Sequence, residues 1–291
     1  MRKDNIYYIA STTAIILWST SFIATKFAYT SFSPLMVGFI RFVIAAILLF
    51  VFRLITKDKV KPDKKDMVKI ALSGLLGITL YFAAENLGVK YTTASNASLI
   101  VASFPAITTL FEFIIYKTKP TLRKVIGIAL AFGGVMVLTT KSSSGGSEAL
   151  WGSLLLIAAG VVWTFYNFIT RSLSNKYSPV TLSYYQFVFG ALFFIPLVLI
   201  EHQPIGVITG TGIAAMIYLS LGCSVGAFLL YNFGLKKLSA ATSVSLMNLV
   251  PVFGIIFSAL FLKETITIAQ ILGGIIVIVG VILSSTTKGK G

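Results

Sequence analysis

The chain has 291 residues, 56% of them hydrophobic and 11% charged, with a formal net charge of +15 and a mean hydropathy of +0.91. Soluble domains carry about 25% charged residues, so a water-facing globule is excluded and the chain reads as an all-α polytopic membrane protein. One cysteine, Cys223, and one histidine, His202, leave no material for a disulfide framework, a thiolate cluster, a histidine metal site or a histidine-based triad.

Ten apolar segments near spanning length follow in order, at roughly 6–27, 34–55, 68–88, 94–116, 121–140, 150–171, 179–200, 211–233, 240–262 and 267–286. Turn and charge signals separate them, among them Ser31 to Pro34, the charged run 57–66, the SSSGGS stretch 142–147 and Ser178-Pro179. The first run follows a short polar start and lacks a small-x-small cleavage site, so it is read as a span, not a leader. Of the 24 basic residues, all but Lys26, Arg41, Lys90, Lys141 and Lys263 fall at the two termini or in loops after even-numbered spans. The positive-inside rule then places both termini in the cytoplasm of a cell membrane. That placement accounts for the net charge without nucleic acid.

The two halves echo each other. Asn86 falls on Asn232, Gly88 on Gly234, Lys90 on Lys236 and Pro105 on Pro251 at a spacing of 146. Trp18 falls on Trp163, Thr25 on Thr170 and Ser33-Pro34 on Ser178-Pro179 at 145. The sequence therefore predicts a five-helix repeat over 1–141, a linker at 142–148 and a second five-helix repeat over 149–291. Five is odd, so equivalent helices run in opposite directions across the bilayer. Inverted repeats of this kind can exchange inward-open and outward-open states around a midplane site.

Several stretches resemble the drug/metabolite transporter superfamily, in particular its EamA-type members of ten spans. They are ILWSTSFIATK at 16–26, SPLMVGFIRF at 33–42, GVKYTTASNASLIVASFPAITTL at 88–110, GLKKLSAATSVSLMNLVPVFGIIFSALFLKET at 234–265 and GGIIVIVG at 273–280. The resemblance implies a helical pore between the halves, closed by helices three, four, eight and nine, and often export of amino acids or related metabolites. It also implies an acidic residue after the fourth and ninth spans; Glu264 fills the second place, whereas Thr118 stands in the first.

Charges within a bilayer are costly and face a cavity or a partner. Arg41, in the second span, offers a fork of donors that fits a substrate carboxylate, and Glu85, in the third, suits an amine or a coupling proton. The alternative is that the two pair with each other as a structural lock. Their counterparts, Gln186 and Tyr231, are neutral and are lining candidates as well. Trp18 and Trp163 lie near the middle of their spans rather than at the interfaces where tryptophan concentrates; they read as walls of a site or as packing. Asn96 and Asn248 are further lining candidates, and Pro105 and Pro251, which free the carbonyls of Val101 and Met247, are gating candidates. The glycine rows 127–134 and 273–280 read as close helix packing. The run 57–66 is expected to be a solvated loop, and Glu201 and His202 carry no assigned role.

The function expected is alternating-access transport of a small polar metabolite, chiefly export of an amino acid or similar zwitterion, by a monomer or homodimer that needs no cofactor or metal. Import of an organic cation is the alternative transport reading, and a non-transporting scaffold or sensor is the alternative of another class. No HExxH motif is present and the single histidine, His202, lies at a membrane edge, so catalysis is not expected.

Overall fold

The structure, a computed structural model, describes residues 5–58, 60–117, 121–140, 147–202, 206–238 and 240–285. Thr118 and most of the 142–148 linker lie outside the described residues. Regular structure among those described is entirely helical, as it must be where backbone groups meet lipid instead of water. The helices are α1 (Asn5–Ala28), α2 (Pro34–Ile55), α3 (Lys64–Tyr91), α4 (Ala94–Ile115), α5 (Leu122–Thr140), α6 (Ser147–Leu173), α7 (Pro179–Glu201), α8 (Gly210–Gly234), α9 (Thr242–Phe261) and α10 (Ile268–Ser285). Among the described residues eight of these, all but α5 and α10, are long and apolar enough to cross a membrane; α10 contributes a shorter apolar helix over Ile268–Leu283.

Four helices are not continuous, and they form two pairs. α3 widens into a π stretch at Leu75–Leu80, and α8 does so at Leu219–Gly226. α4 breaks after Val101 and restarts at Phe104, while α9 passes through a 3₁₀ turn at Leu246–Leu249 before restarting at Val250. Pro105 and Pro251 sit in the first turn of each restarted helix. A proline there gives up no intrahelical bond, and the carbonyls it would crowd belong to the preceding segment. α4 is thus interrupted just before Pro105, whereas α9 changes its winding without a gap just before Pro251.

The halves pack together in matched contacts: α1 with α8 and α6 with α3, α2 with α7, α4 with α9, and α5 with α10. Glycines make the last of these possible. A Cβ on Gly134 would lie 2.8 Å from the Gly273 carbonyl oxygen, and one on Gly280 would lie 2.6 Å from that of Gly127. Each pair is the repeat image of the other. Between apolar helices in lipid there is little hydrophobic gain, so such close backbone approach supplies the association through dispersion.

The two faces of the bundle are closed by different polar chemistry. On one face Glu201, at the end of α7, accepts from the Ser33 hydroxyl and from the Leu35 amide (3.3 Å), capping α2. There too Glu264 accepts from the amides of Ala94 (3.0 Å) and Ser95 (3.1 Å) and from the Ser95 hydroxyl, capping α4. The carboxylates thus meet the unpaired N–H groups and positive dipole end of each helix. On the opposite face Asp66 accepts from Lys176 Nζ (2.7 Å) and from the Tyr177 hydroxyl (2.8 Å), and Asp58 accepts from the Thr181 hydroxyl (2.9 Å). Asp58 and Asp66 of the 57–66 run are therefore tied to the α6–α7 turn and the start of α7, while Lys57, Lys61, Asp63, Lys64 and Lys65 are exposed, so the reading of a solvated loop is corrected for these two acids alone. Glu201, given no role from sequence, is a helix cap.

Candidate functional site

Where α1, α3, α6 and the irregular turns of α4 and α9 converge, the bundle encloses a cavity of about 20 Å³, close to the size of one water molecule. Trp18, Ser21 and Phe22 of α1, Tyr81, Phe82 and Glu85 of α3, Val101, Trp163, Met247 and Val250 form its wall. The aromatic rings hold each other at the angles their quadrupoles favour. Trp18 and Trp163 meet edge to face with centroids 5.5 Å apart, Tyr81 lies 4.8 Å from Trp163, and Tyr166 stacks behind Trp163 at 4.7 Å. The Trp18 indole N–H donates to the Cys223 carbonyl (2.8 Å), inside the π stretch of α8. The Tyr166 ring lies where a Cβ on Gly77 would stand, so glycine is required inside the π stretch of α3.

Glu85 reaches the cavity one turn beyond Tyr81, whose hydroxyl donates to it at 2.6 Å. The spacing of four residues puts the pair on one helix face. Arg41 is buried, 1% exposed, just behind this wall. Its guanidinium lies over the Phe82 ring, 4.5 Å from the centroid, and 5.4 Å from that of Phe42. Its Nε donates to the Ser224 hydroxyl, but Nη1 and Nη2 have no hydrogen-bond partner. Among the described residues Arg41 and Glu85 form no ion pair, so the structural-lock alternative lacks its contact. Phe82 is shared between the Arg41 stack and the cavity wall. That ring separates the free donors from the space.

The other candidates are more dispersed. Gln186 and Tyr231 belong to a buried polar network on the α6–α7–α8 side. Gln186 donates to the hydroxyls of Ser73 and Thr170 (3.0 Å each), Tyr166 to the Asn232 side-chain oxygen (3.2 Å), Asn232 to the Ser183 hydroxyl (2.9 Å), and Tyr231 to the Asn167 side-chain oxygen (2.6 Å). Tyr231 also touches Trp18, with centroids 5.0 Å apart. Asn96 accepts from Gln270 of α10 (2.8 Å), away from the cavity wall. Asn248 sits on the 3₁₀ turn of α9 with its Oδ1 buried and unpartnered. Of the eight lining candidates, Trp18, Glu85 and Trp163 reach the cavity; Arg41 stands one ring behind it.

Sequence reading missed Tyr81, Phe82 and Ser224. Tyr81 and Phe82 precede Glu85 by one turn, and the i, i+4 rule would have found the first. Ser224 lies 183 positions from Arg41, with no local signal to join them.

Comparison with known proteins gives a consistent picture. The EamA-like transporter family model matches two stretches, residues 5–140 and 150–286. An uncharacterized transporter of Archaeoglobus fulgidus is 30% identical over 94% of this chain and 95% of its own length. A probable terminal-alkyne amino-acid exporter of Streptantibioticus cattleyicolor is 26% identical over 77% of this chain and 74% of its own. A solved crystal structure superposes with a TM-score of 0.70 at 19% identity, covering 96% of both chains, which speaks to fold alone.

Proposed function

The chain belongs to the EamA-like transporter family, and on that footing we propose that it carries a small zwitterion, an amino acid or a close relative, out of the cell by alternating access. The observation that carries this reading is Arg41: a buried guanidinium with two of its three nitrogens free, one aromatic ring away from a cavity that Glu85 lines. A carboxylate would satisfy both free nitrogens in a bidentate pair, and an ammonium would meet Glu85. Phe82 would have to swing aside for both ends to bind at once. The named amino-acid exporter among the relatives supports the substrate class.

The proposal takes the chain as ten crossings in two inverted five-helix repeats, over 1–141 and 149–291, with both termini cytoplasmic. Support for inversion comes from the faces: α7 ends where α2 starts, whereas the turn after α6 meets the segment that leads from α2 to α3. Support for the repeat comes from the two matched stretches and the mirrored glycine contacts. The small cavity and the polar closures on both faces fit an occluded conformation, with the irregular turns at Pro105 and Pro251 as the gates. A second reading, import of an organic cation, is favoured by the cavity wall taken by itself, where Glu85 and the aromatic rings stand without a cation.

Flux into and out of proteoliposomes, with amino acids, their decarboxylated amines and quaternary amines as substrates, separates these readings. Saturable flux of amino acids but not of amines is expected, and Arg41→Gln should abolish that preference. Preferred flux of quaternary amines, untouched by Arg41→Gln, would establish the second reading. Absence of saturable flux for every compound would overturn transport of these classes and favour a scaffold or sensor.

A further inference from the structure

A second cavity, of about 390 Å³, opens on the flank of the bundle where α2 leaves its apolar stretch. Phe50, Arg53 and Leu54 of α2, Lys57, Asp58 and Lys61 beyond it, and Tyr184 and Tyr185 of α7 line it. It shares no residue with the central cavity. Three cations face one acid, and that acid is already engaged: Asp58 accepts from Thr181 and lies 3.5 Å from Arg53 Nε. Arg53 is itself buried and committed, its guanidinium 4.8 Å and 5.1 Å from the Tyr184 and Tyr185 ring centroids and its Nη2 donating to the carbonyls of Asp58 and Val60. Lys57 and Lys61 are exposed at the rim and are not so committed. Above them, Ile47, Phe50, Val51 and Leu54 form an exposed apolar strip on α2.

The repeat supplies a control. Arg53, Lys57, Tyr184 and Tyr185 fall on Val198, His202, Phe39 and Ile40 in the opposite half, at a spacing of 145. Lys57 and His202 even share a left-handed backbone, with φ of 54° and 45°. The geometry is duplicated, but the cations and phenols are confined to one copy. Helix packing alone does not call for them, since the other copy packs without them.

We propose that this cleft binds an anionic phospholipid, its headgroup phosphate between Lys57 and Lys61 and an acyl chain along Phe50 and Leu54. An apolar strip that runs into a basic rim matches an amphiphile lying along the helix, not a free ion, and the long lysine stems let their charges reach the headgroup level.

Phosphatidylglycerol is titrated into the purified protein in a non-ionic detergent, with bound lipid counted by native mass spectrometry and thermal stability followed in parallel. Each lysine is worth about fivefold in affinity, so Lys57→Asn with Lys61→Ala should weaken binding about 25-fold; asparagine suits the left-handed position. Lys64→Ala with Lys65→Ala, the same loss of charge on exposed residues outside the cleft, should leave binding within twofold. Should the first double variant not fold, Lys61→Ala alone serves, with a loss of about fivefold expected. The proposal is overturned if the control weakens binding as much, if the cleft variants do not weaken it, if phosphatidylcholine binds equally well, or if inorganic phosphate competes at matching affinity and so marks a free-anion site.

Discussion

Arg41, Glu85 and Asn86 in one half occupy the repeat positions of Gln186, Tyr231 and Asn232 in the other, yet the two trios end in opposite conditions. The second is saturated: each of its side chains has partners drawn from α3, α6 and α7. The first is left incomplete, with Arg41 Nη1 and Nη2 and Asn86 Oδ1 buried and unpartnered. Such gaps cost of the order of 1–3 kcal/mol for each neutral group and more for charged ones. Stacking on Phe82 and Phe42 offsets about 2 kcal/mol of that. The saturated side acts as a fixed wall, while the incomplete side retains unused capacity for a ligand. Where a duplicated fold leaves one copy unfinished, binding is the economical explanation.

The comparison is broken most severely by Gln186→Arg, which brings a charge into a buried network of hydroxyls and amides that holds no carboxylate to pair with it. A loss above 3 kcal/mol is expected, read as a collapse of folded yield and melting temperature; a well-folded variant would mean the network can be rearranged. Arg41→Gln should do the reverse. Transport of a carboxylate substrate falls about 150-fold or more in kcat/KM from the loss of two charged hydrogen bonds, while melting temperature holds or rises. A lower melting temperature with normal kinetics would make Arg41 structural.

Between these extremes stands a place where the halves are alike. Gly134→Ala and Gly280→Ala should each cost about 1–3 kcal/mol by overpacking, and by similar amounts, since each Cβ meets the same backbone of the opposite helix. Unequal losses in denaturant midpoint would show that the α5–α10 contact is less symmetric than its glycines. The smallest effect is electrostatic and lies on the Asp66 face. The hydrogen bond to Asp66 holds the Lys176 ammonium above its ordinary pKa of 10.5. Its stabilising contribution is therefore present below that value and fades as the pH climbs through the raised one. Lys176→Gln should remove a slight alkaline loss of melting temperature by lowering the value at neutral pH by the same slight amount.

Much of the helical fold was legible because lipid imposes simple rules: apolar length, and repeated proline and glycine. The glycine rows could be read as contacts because nothing but close approach explains glycine at that density. The site was legible only in part. Trp18, Trp163 and Glu85 stood out as residues in the wrong solvent. Asn96 stood out on the same ground, yet it serves a contact with Gln270. Burial of a polar group reveals that it has a partner or a task, not which of the two. Phe82, the ring between Arg41 and the cavity, is one phenylalanine among 23, and only tertiary proximity distinguishes it.

The π stretches also explain why helical counting misleads here. Every residue added to a turn displaces the azimuth of all that follows by about 100°, since an α-helix advances 3.6 residues per turn. Glu85 and Tyr231 both lie downstream of such stretches, so the bearing of each is set by winding several residues earlier. Removing one residue from Leu75–Leu80 would turn Glu85 off the cavity without altering its chemistry. In this chain, angular phase behaves as a separate heritable quantity, stored in two short overwide coils and adjustable without touching the side chains it aims.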